Sequence, residues 1–116
     1  PRLPFVRGRL PLKTGSTALK HMRTAMVQVV NRVGTGRRAK MSNVVVAGKT
    51  GSAENPHGRT HAWFCGFAPA DDPTIAFAVV LENAGGGGAE AAPVAKKILE
   101  VLFPNPKEGL DVEAEG

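Results

Sequence analysis

Cysteine is almost missing from this 116-residue chain: Cys65 stands alone. That excludes an internal disulfide framework and a four-cysteine zinc ribbon, while a single apolar-flanked cysteine fits an oxidising or a reducing compartment equally well. No apolar run approaches the ~18 residues that a membrane span needs, and no signal-peptide pattern opens the chain. Acidic residues are wholly absent from residues 1–40, where ten Lys and Arg crowd together; residues 41–116 reverse the balance with five Lys and Arg against ten acids. A basic arm of this strength suits nucleic acid, anionic lipid or an acidic partner. Phe5 is the only aromatic within it, which is not the interleaved pattern of a nucleic-acid binder, so no nucleic-acid partner is expected. The chain opens on Pro1 and not on Met, and a piece of a longer protein is expected.

What is present is ordinary globular material. Hydrophobic residues make up 42% and charged residues 22%, and a chain of this size buries roughly two-thirds of its unfolded surface. Residues 1–15, rich in Pro and Arg, read as an extended basic lead-in. Ala18, Leu19, Met22, Ala25, Met26, Val29, Val30 and Val33 recur at helical spacing and predict a helix over 17–33, with Ser16 or Thr17 as N-cap and Gly34 as its stop. After a basic loop, strands are predicted over 43–53, 61–68 and 74–82, the first opening on a buried run Val44-Val45-Val46. The turn-rich Asn55-Pro56-His57-Gly58 and Pro69-Ala70-Asp71-Asp72-Pro73 separate them, and such short connections imply an antiparallel meander. Gly85 to Gly88 reads as a flexible break before a helix over 90–103, which tolerates Pro93 in its first turn and stops at Pro104. Residues 104–116 read as a disordered acidic tail. The expected fold class is α+β, an antiparallel sheet flanked by helices, with a core thin enough to suggest an incomplete folding unit.

Chemistry concentrates in Val46-Ala47-Gly48-Lys49-Thr50-Gly51-Ser52-Ala53-Glu54. Gly48-Lys49-Thr50 invites comparison with a phosphate-binding loop, but that loop needs a glycine where Asn43 stands and a helix after it, and neither is found. Lys-Thr-Gly ending a strand fits enzymes with an active-site serine that act on β-lactams and D-alanyl peptides. An exposed strand edge pairs with an extended peptide; Lys49 and Thr50 offer a cation and a hydroxyl to its carboxylate, Gly51 permits close approach, and the Ser52 amide can face a developing oxyanion. A second copy, Lys13-Thr14-Gly15, precedes a helix and not a strand, and reads as chance.

Together, Ala47 to Glu54, His61-Ala62-Trp63-Phe64, Gly66-Phe67-Ala68-Pro69, Val80-Leu81-Glu82 and the glycine-rich turn into Ala91-Ala92-Pro93-Val94-Ala95 resemble the C-terminal part of the transpeptidase domain in class B penicillin-binding proteins, most of all the penicillin-binding protein 2 group. The resemblance covers residues 15–103, so residues 16–103 are expected to be the C-terminal part of that domain. It implies a peptidoglycan D,D-transpeptidase working through an acyl-serine, with Lys49, Thr50, Gly51 and Ser52 binding substrate and Lys49 and the Ser52 amide serving catalysis. It implies stem peptides, β-lactams and the upstream part of the domain as partners, with the cell-elongation machinery beyond them. No cofactor and no metal are implied, and the location is the periplasmic side of the inner membrane, with the anchor outside this chain. The family's Ser-x-x-Lys and Ser-x-Asn motifs are not in these residues: Thr17-Ala18-Leu19-Lys20 and Ser42-Asn43 only approach them. The segment alone is therefore expected to be inactive. Two alternatives remain at this point: a D,D-carboxypeptidase or β-lactamase of the same superfamily, and a non-catalytic fragment that binds anionic polymer through residues 1–40. His61 is expected to be structural, His21 and His57 to be solvated surface, Trp63, Phe64 and Phe67 to pack the sheet's two faces, and Cys65 to be a small buried hydrophobe.

Overall fold

The computed structural model describes residues 3–9 and 16–106; the decoy Lys13-Thr14-Gly15, and the expected tail from residue 107 onward, lie outside them. Residues 3–9 are exposed and carry no regular structure. Helix α1 (Thr17–Asn31) starts where the Ser16 side chain accepts a hydrogen bond from the Leu19 N–H at 3.3 Å, which satisfies one orphan donor of the first turn. It ends two residues before the expected boundary. The Gly36 N–H donates to the Val29 carbonyl, so the chain turns back over the last turn, and a Cβ at Gly34 would collide with the Val29 backbone. Val33 is left 98% exposed.

Three strands follow: β1 (Ala47–Ala53), β2 (His61–Ala68) and β3 (Ile75–Leu81), antiparallel and in the order β1-β2-β3. The four residues before β1 are not strand, against the expectation of a strand from 43. Their polar groups have other partners: Val45 accepts from the Ala70 N–H, Val46 accepts from Asn31 Nδ2 at 2.8 Å, and the Asn43 side chain donates to the Phe103 carbonyl. Of the three valines only Val46 is fully buried, and Val45 is half-exposed. β3 is shorter than expected by a residue at each end. Gly85 to Gly88 is no flexible break: it leads into a π-helical turn (Gly87–Ala91) with Gly87 buried, and helix α2 (Ala92–Leu102) continues from it. Pro93 sits in the first turn of α2, directly after the π-helical turn.

Register decides the faces, because side chains directly opposite one another share a side of the sheet. Gly48-Gly66-Phe77, Thr50-Phe64-Val79 and Ser52-Ala62-Leu81 lie on one face. There Ala62, Phe64 and Val79 pack with Val30 of α1 and with Ala92, Ala95 and Leu99 of α2. Both helices therefore cover the same face. Lys49-Cys65-Ala78 and Gly51-Trp63-Val80 lie on the other, which none of the described elements covers: Trp63 is 43% and Val80 44% exposed. Cys65 is exposed as well. The expectation of a buried cysteine fails because strand alternation puts Phe64 inward and its two neighbours outward.

Candidate active site

Lys49, Thr50, Gly51 and Ser52 occupy the middle of β1, an edge strand that has only β2 as a ladder neighbour. An edge strand keeps a row of N–H and C=O groups free to pair with a further strand. The four residues alternate across the sheet. Thr50 and Ser52 turn to the helix-covered face, Lys49 and Gly51 to the open one. Lys49 nevertheless comes back to the strand: its Nζ donates to the Thr50 carbonyl at 2.7 Å, so the cation rests on the backbone at Thr50 although its Cβ leaves from the opposite side.

Thr50 is half-buried, and its hydroxyl lies 2.6 Å from the Thr35 hydroxyl. Around this pair opens a cleft of about 560 Å³, lined by Gly34, Thr35, Arg37, Arg38, Thr50, Gly51, Ser52 and residues 86–89. Two of its glycines, Gly87 and Gly88, are close-packed. A Cβ at Gly87 would strike the backbone of Gly51 and Trp63, and one at Gly88 would strike the Thr35 carbonyl. Arg38 Nη1 donates to the Ala89 carbonyl at 3.1 Å and ties the two walls together. Lining the cleft are two guanidinium groups and no carboxylate, a lining that attracts an anion.

The remaining candidates are placed elsewhere. His61 pairs with Ala53, and its Nδ1 accepts from the Asn83 N–H at 3.0 Å, a structural bond, while His21 and His57 are exposed. Among the described residues no three His, Cys, Asp or Glu stand together as a metal site, and no helix is long and apolar enough to cross a membrane. Thr35, Arg37 and Arg38 were not singled out by the sequence beyond a basic loop. The signal available was a threonine held between two glycines, Gly34 and Gly36, next to paired arginines.

Residues 10–100 match the model of a family described as the penicillin binding protein transpeptidase domain. The chain belongs to that family. Among relatives of this transpeptidase-domain segment is the peptidoglycan D,D-transpeptidase MrdA of Haemophilus influenzae, 44% identical over an alignment of 92 residues, with 65% of this chain and 14% of that protein covered. PbpA of Mycobacterium tuberculosis, also a peptidoglycan D,D-transpeptidase, is 38% identical over an alignment of 76 residues, with 58% of this chain and 16% of that protein covered. Among solved structures, Pseudomonas aeruginosa PBP2 in complex with WCK 5153 superposes with a TM-score of 0.65 at 39% identity, over 73% of this chain and 19% of that one. Penicillin-binding protein A from M. tuberculosis, in its imipenem acyl-enzyme complex, gives 0.61 at 33% identity, over 72% and 19%. The segment thus spans about a sixth of the curated relatives' length and a fifth of the solved chains. The three-strand antiparallel sheet and its helices form part of an α+β fold shared with those transpeptidase domains.

Proposed function

We propose that this segment carries the Lys-Thr-Gly strand of a serine-type peptidoglycan D,D-transpeptidase, and that β1 and its cleft hold the D-alanyl end of a stem peptide. The observation that carries the reading is the placement of Thr50 and Ser52 on an edge strand beside a cleft lined by Arg37 and Arg38, with the Lys49 ammonium folded onto the same stretch of backbone. An extended peptide pairs with such an edge, and its terminal carboxylate meets the hydroxyl of Thr50 and the cation of Lys49. The acyl-enzyme complex of a family relative supports the covalent part of the reading.

The nucleophile is a serine in a Ser-x-x-Lys motif upstream of this segment. Its oxygen attacks the penultimate D-alanyl carbonyl, and the negative charge that gathers on the carbonyl oxygen is met by the Ser52 N–H. The peptide bond breaks, D-alanine leaves with a proton on its amine, and an ester to serine remains. The amine of a second stem peptide attacks that ester, forms the cross-linking amide and returns the serine hydroxyl. β-Lactams enter the same site and stop at the ester. The site lies on the periplasmic side of the inner membrane, where peptidoglycan is assembled, with the upstream half of the domain as its immediate partner and the cell-elongation machinery around it.

One labelling experiment tests this. The longer protein should take up fluorescent penicillin, and Lys49→Ala should slow acylation about tenfold or more, because a hydrogen bond to a charged group is worth about 1.5–3 kcal/mol. Lys13→Ala, in the other Lys-Thr-Gly, should leave the rate unchanged. The 116-residue chain by itself should show no adduct by intact mass; an adduct there would place the nucleophile within these residues and overturn the assignment.

A further inference from the structure

We propose that Thr35 is a positioning residue for Thr50, and that the glycine turn at Gly87 and Gly88 fixes the distance between them. The inference rests on the function proposed above, in which Thr50 receives the substrate carboxylate.

A threonine hydroxyl has one proton to give and can accept in return. A carboxylate only accepts. If Thr50 spends its proton on Thr35, none is left for the substrate. If Thr35 donates to Thr50, the Thr50 proton is directed away from Thr35 and toward an incoming acceptor, and each bond of such a chain polarises the next. The 2.6 Å separation of the two hydroxyl oxygens makes this relay available before substrate arrives. Both threonines line the cleft that also holds Arg37, Arg38 and Ser52, so the chain of hydroxyls ends on the anion-attracting side.

The geometry of the pair is built rather than incidental. Thr35 sits on a loop between Gly34 and Gly36, fifteen residues from Thr50, and nothing in local chain geometry brings them together. Gly88 packs against the carbonyl of Thr35, while its neighbour Gly87 packs against the backbone of Gly51, next to Thr50. Two successive residues without a Cβ thus pack against the Thr35 backbone on one side and against the residue next to Thr50 on the other. The Gly36 N–H to Val29 carbonyl bond anchors the loop to α1, and the Arg38 bond to the Ala89 carbonyl anchors the glycine turn to the loop.

The test uses the longer protein and the second-order rate constant of acylation by fluorescent penicillin, with melting temperatures recorded for every variant. Thr35→Val keeps the shape and removes the hydroxyl; it should lower the rate roughly three- to tenfold, as expected for one lost neutral hydrogen bond. The loss should fall on apparent affinity and not on the limiting acylation rate. Thr35→Ser restores the donor and should recover at least about half of the parent rate. Thr50→Val should be slower than the parent, and Thr35→Val combined with Thr50→Val should be no slower than Thr50→Val alone, since the relay has already lost its end. A purely structural Thr35 would lower melting temperature and would slow the Thr50→Val background by the same factor as the parent; that result overturns the proposal. A parent-like Thr35→Val in the presence of a damaged Thr50→Val also overturns it, and leaves the proposed function standing. A parent-like Thr50→Val overturns the proposed role of Thr50, and this inference with it.

Discussion

The two faces of the sheet are made by the same three strands and differ in almost everything else. On one, Phe64, Ala62 and Val79 disappear under Val30, Ala92, Ala95 and Leu99. On the other, Trp63, Cys65, Ala78 and Val80 stand beside Lys49 and Gly51 with much of their surface open. Antiparallel sheets often wet one face, and such faces are then polar. This one is not: apart from Lys49 its central residues are apolar or glycine. Its composition is that of a face made to be covered. The segment spans only 14% of its MrdA relative from Haemophilus influenzae, and the expected occupant is the upstream half of the domain, which the function proposed above makes its immediate partner. The helices thus build a core that shapes β1, whose free edge carries Thr50 and Ser52 on the covered face and Lys49 and Gly51 on the open one.

The sharpest way to break this division is at Ser52, whose side chain is exposed at the end of the covered face and whose backbone carries the proposed catalytic role. Ser52→Ala in the longer protein should keep most of the acylation rate. Ser52→Pro removes the N–H and should lower the rate by about 10²–10³, the usual loss for one oxyanion-hole donor. The comparison holds for a proline variant that melts as cooperatively as its parent. A folded Ser52→Pro protein acylating at the parent rate would show that the oxyanion is held by another group.

Much of this contrast is legible in the residues, and the misses have physical causes. β2 is rich in aromatics and bounded by turn residues on both sides, and its bounds, His61–Ala68, follow from that pattern. The start of β1 does not, because Val44 to Val46 have strand propensity while the carbonyls of Val45 and Val46 are taken by Ala70 and Asn31, which lie far away in sequence. The chemical type of Cys65 points inward, while its place next to Phe64 on a two-residue period puts it outward. Lys49, Thr50, Gly51 and Ser52 stand out as a contiguous string. Thr35, Arg37 and Arg38 reach them only through tertiary folding, and the packing of Gly87 and Gly88 that holds them there leaves no periodic trace.

Two glycines of β1 measure the difference between the faces directly. A Cβ at Gly48 would lie 2.5 Å from Phe64 Cζ and 2.8 Å from Cε2, and that ring is fully buried with nowhere to go. Gly48→Ala should cost about 1–3 kcal/mol, read as a lower urea midpoint at unchanged slope. At Gly51 an added Cβ meets only Trp63 Cβ, at an ordinary 3.5 Å. Gly51→Ala in this chain should fall within about 0.5 kcal/mol of the parent. Equal losses at the two positions would mean that the open face is as tightly packed as the covered one.

The smallest effect is expected at Cys65, and it reports on the open face without disturbing it. The residue is exposed and directly opposite Lys49. Cys65→Ser should therefore leave stability within about 0.5 kcal/mol. In the 116-residue chain an alkylating reagent should reach the thiol under native conditions, without any need for unfolding. In the longer protein the same reagent should react many times more slowly, because Trp63, Val80 and Cys65 would then lie against the upstream half of the domain. The thiol's protection should be lost together with the cooperative unfolding of that half. If Cys65 instead alkylates equally fast in both proteins, the upstream half does not sit on this face, and the apolar surface around Trp63 has some other occupant.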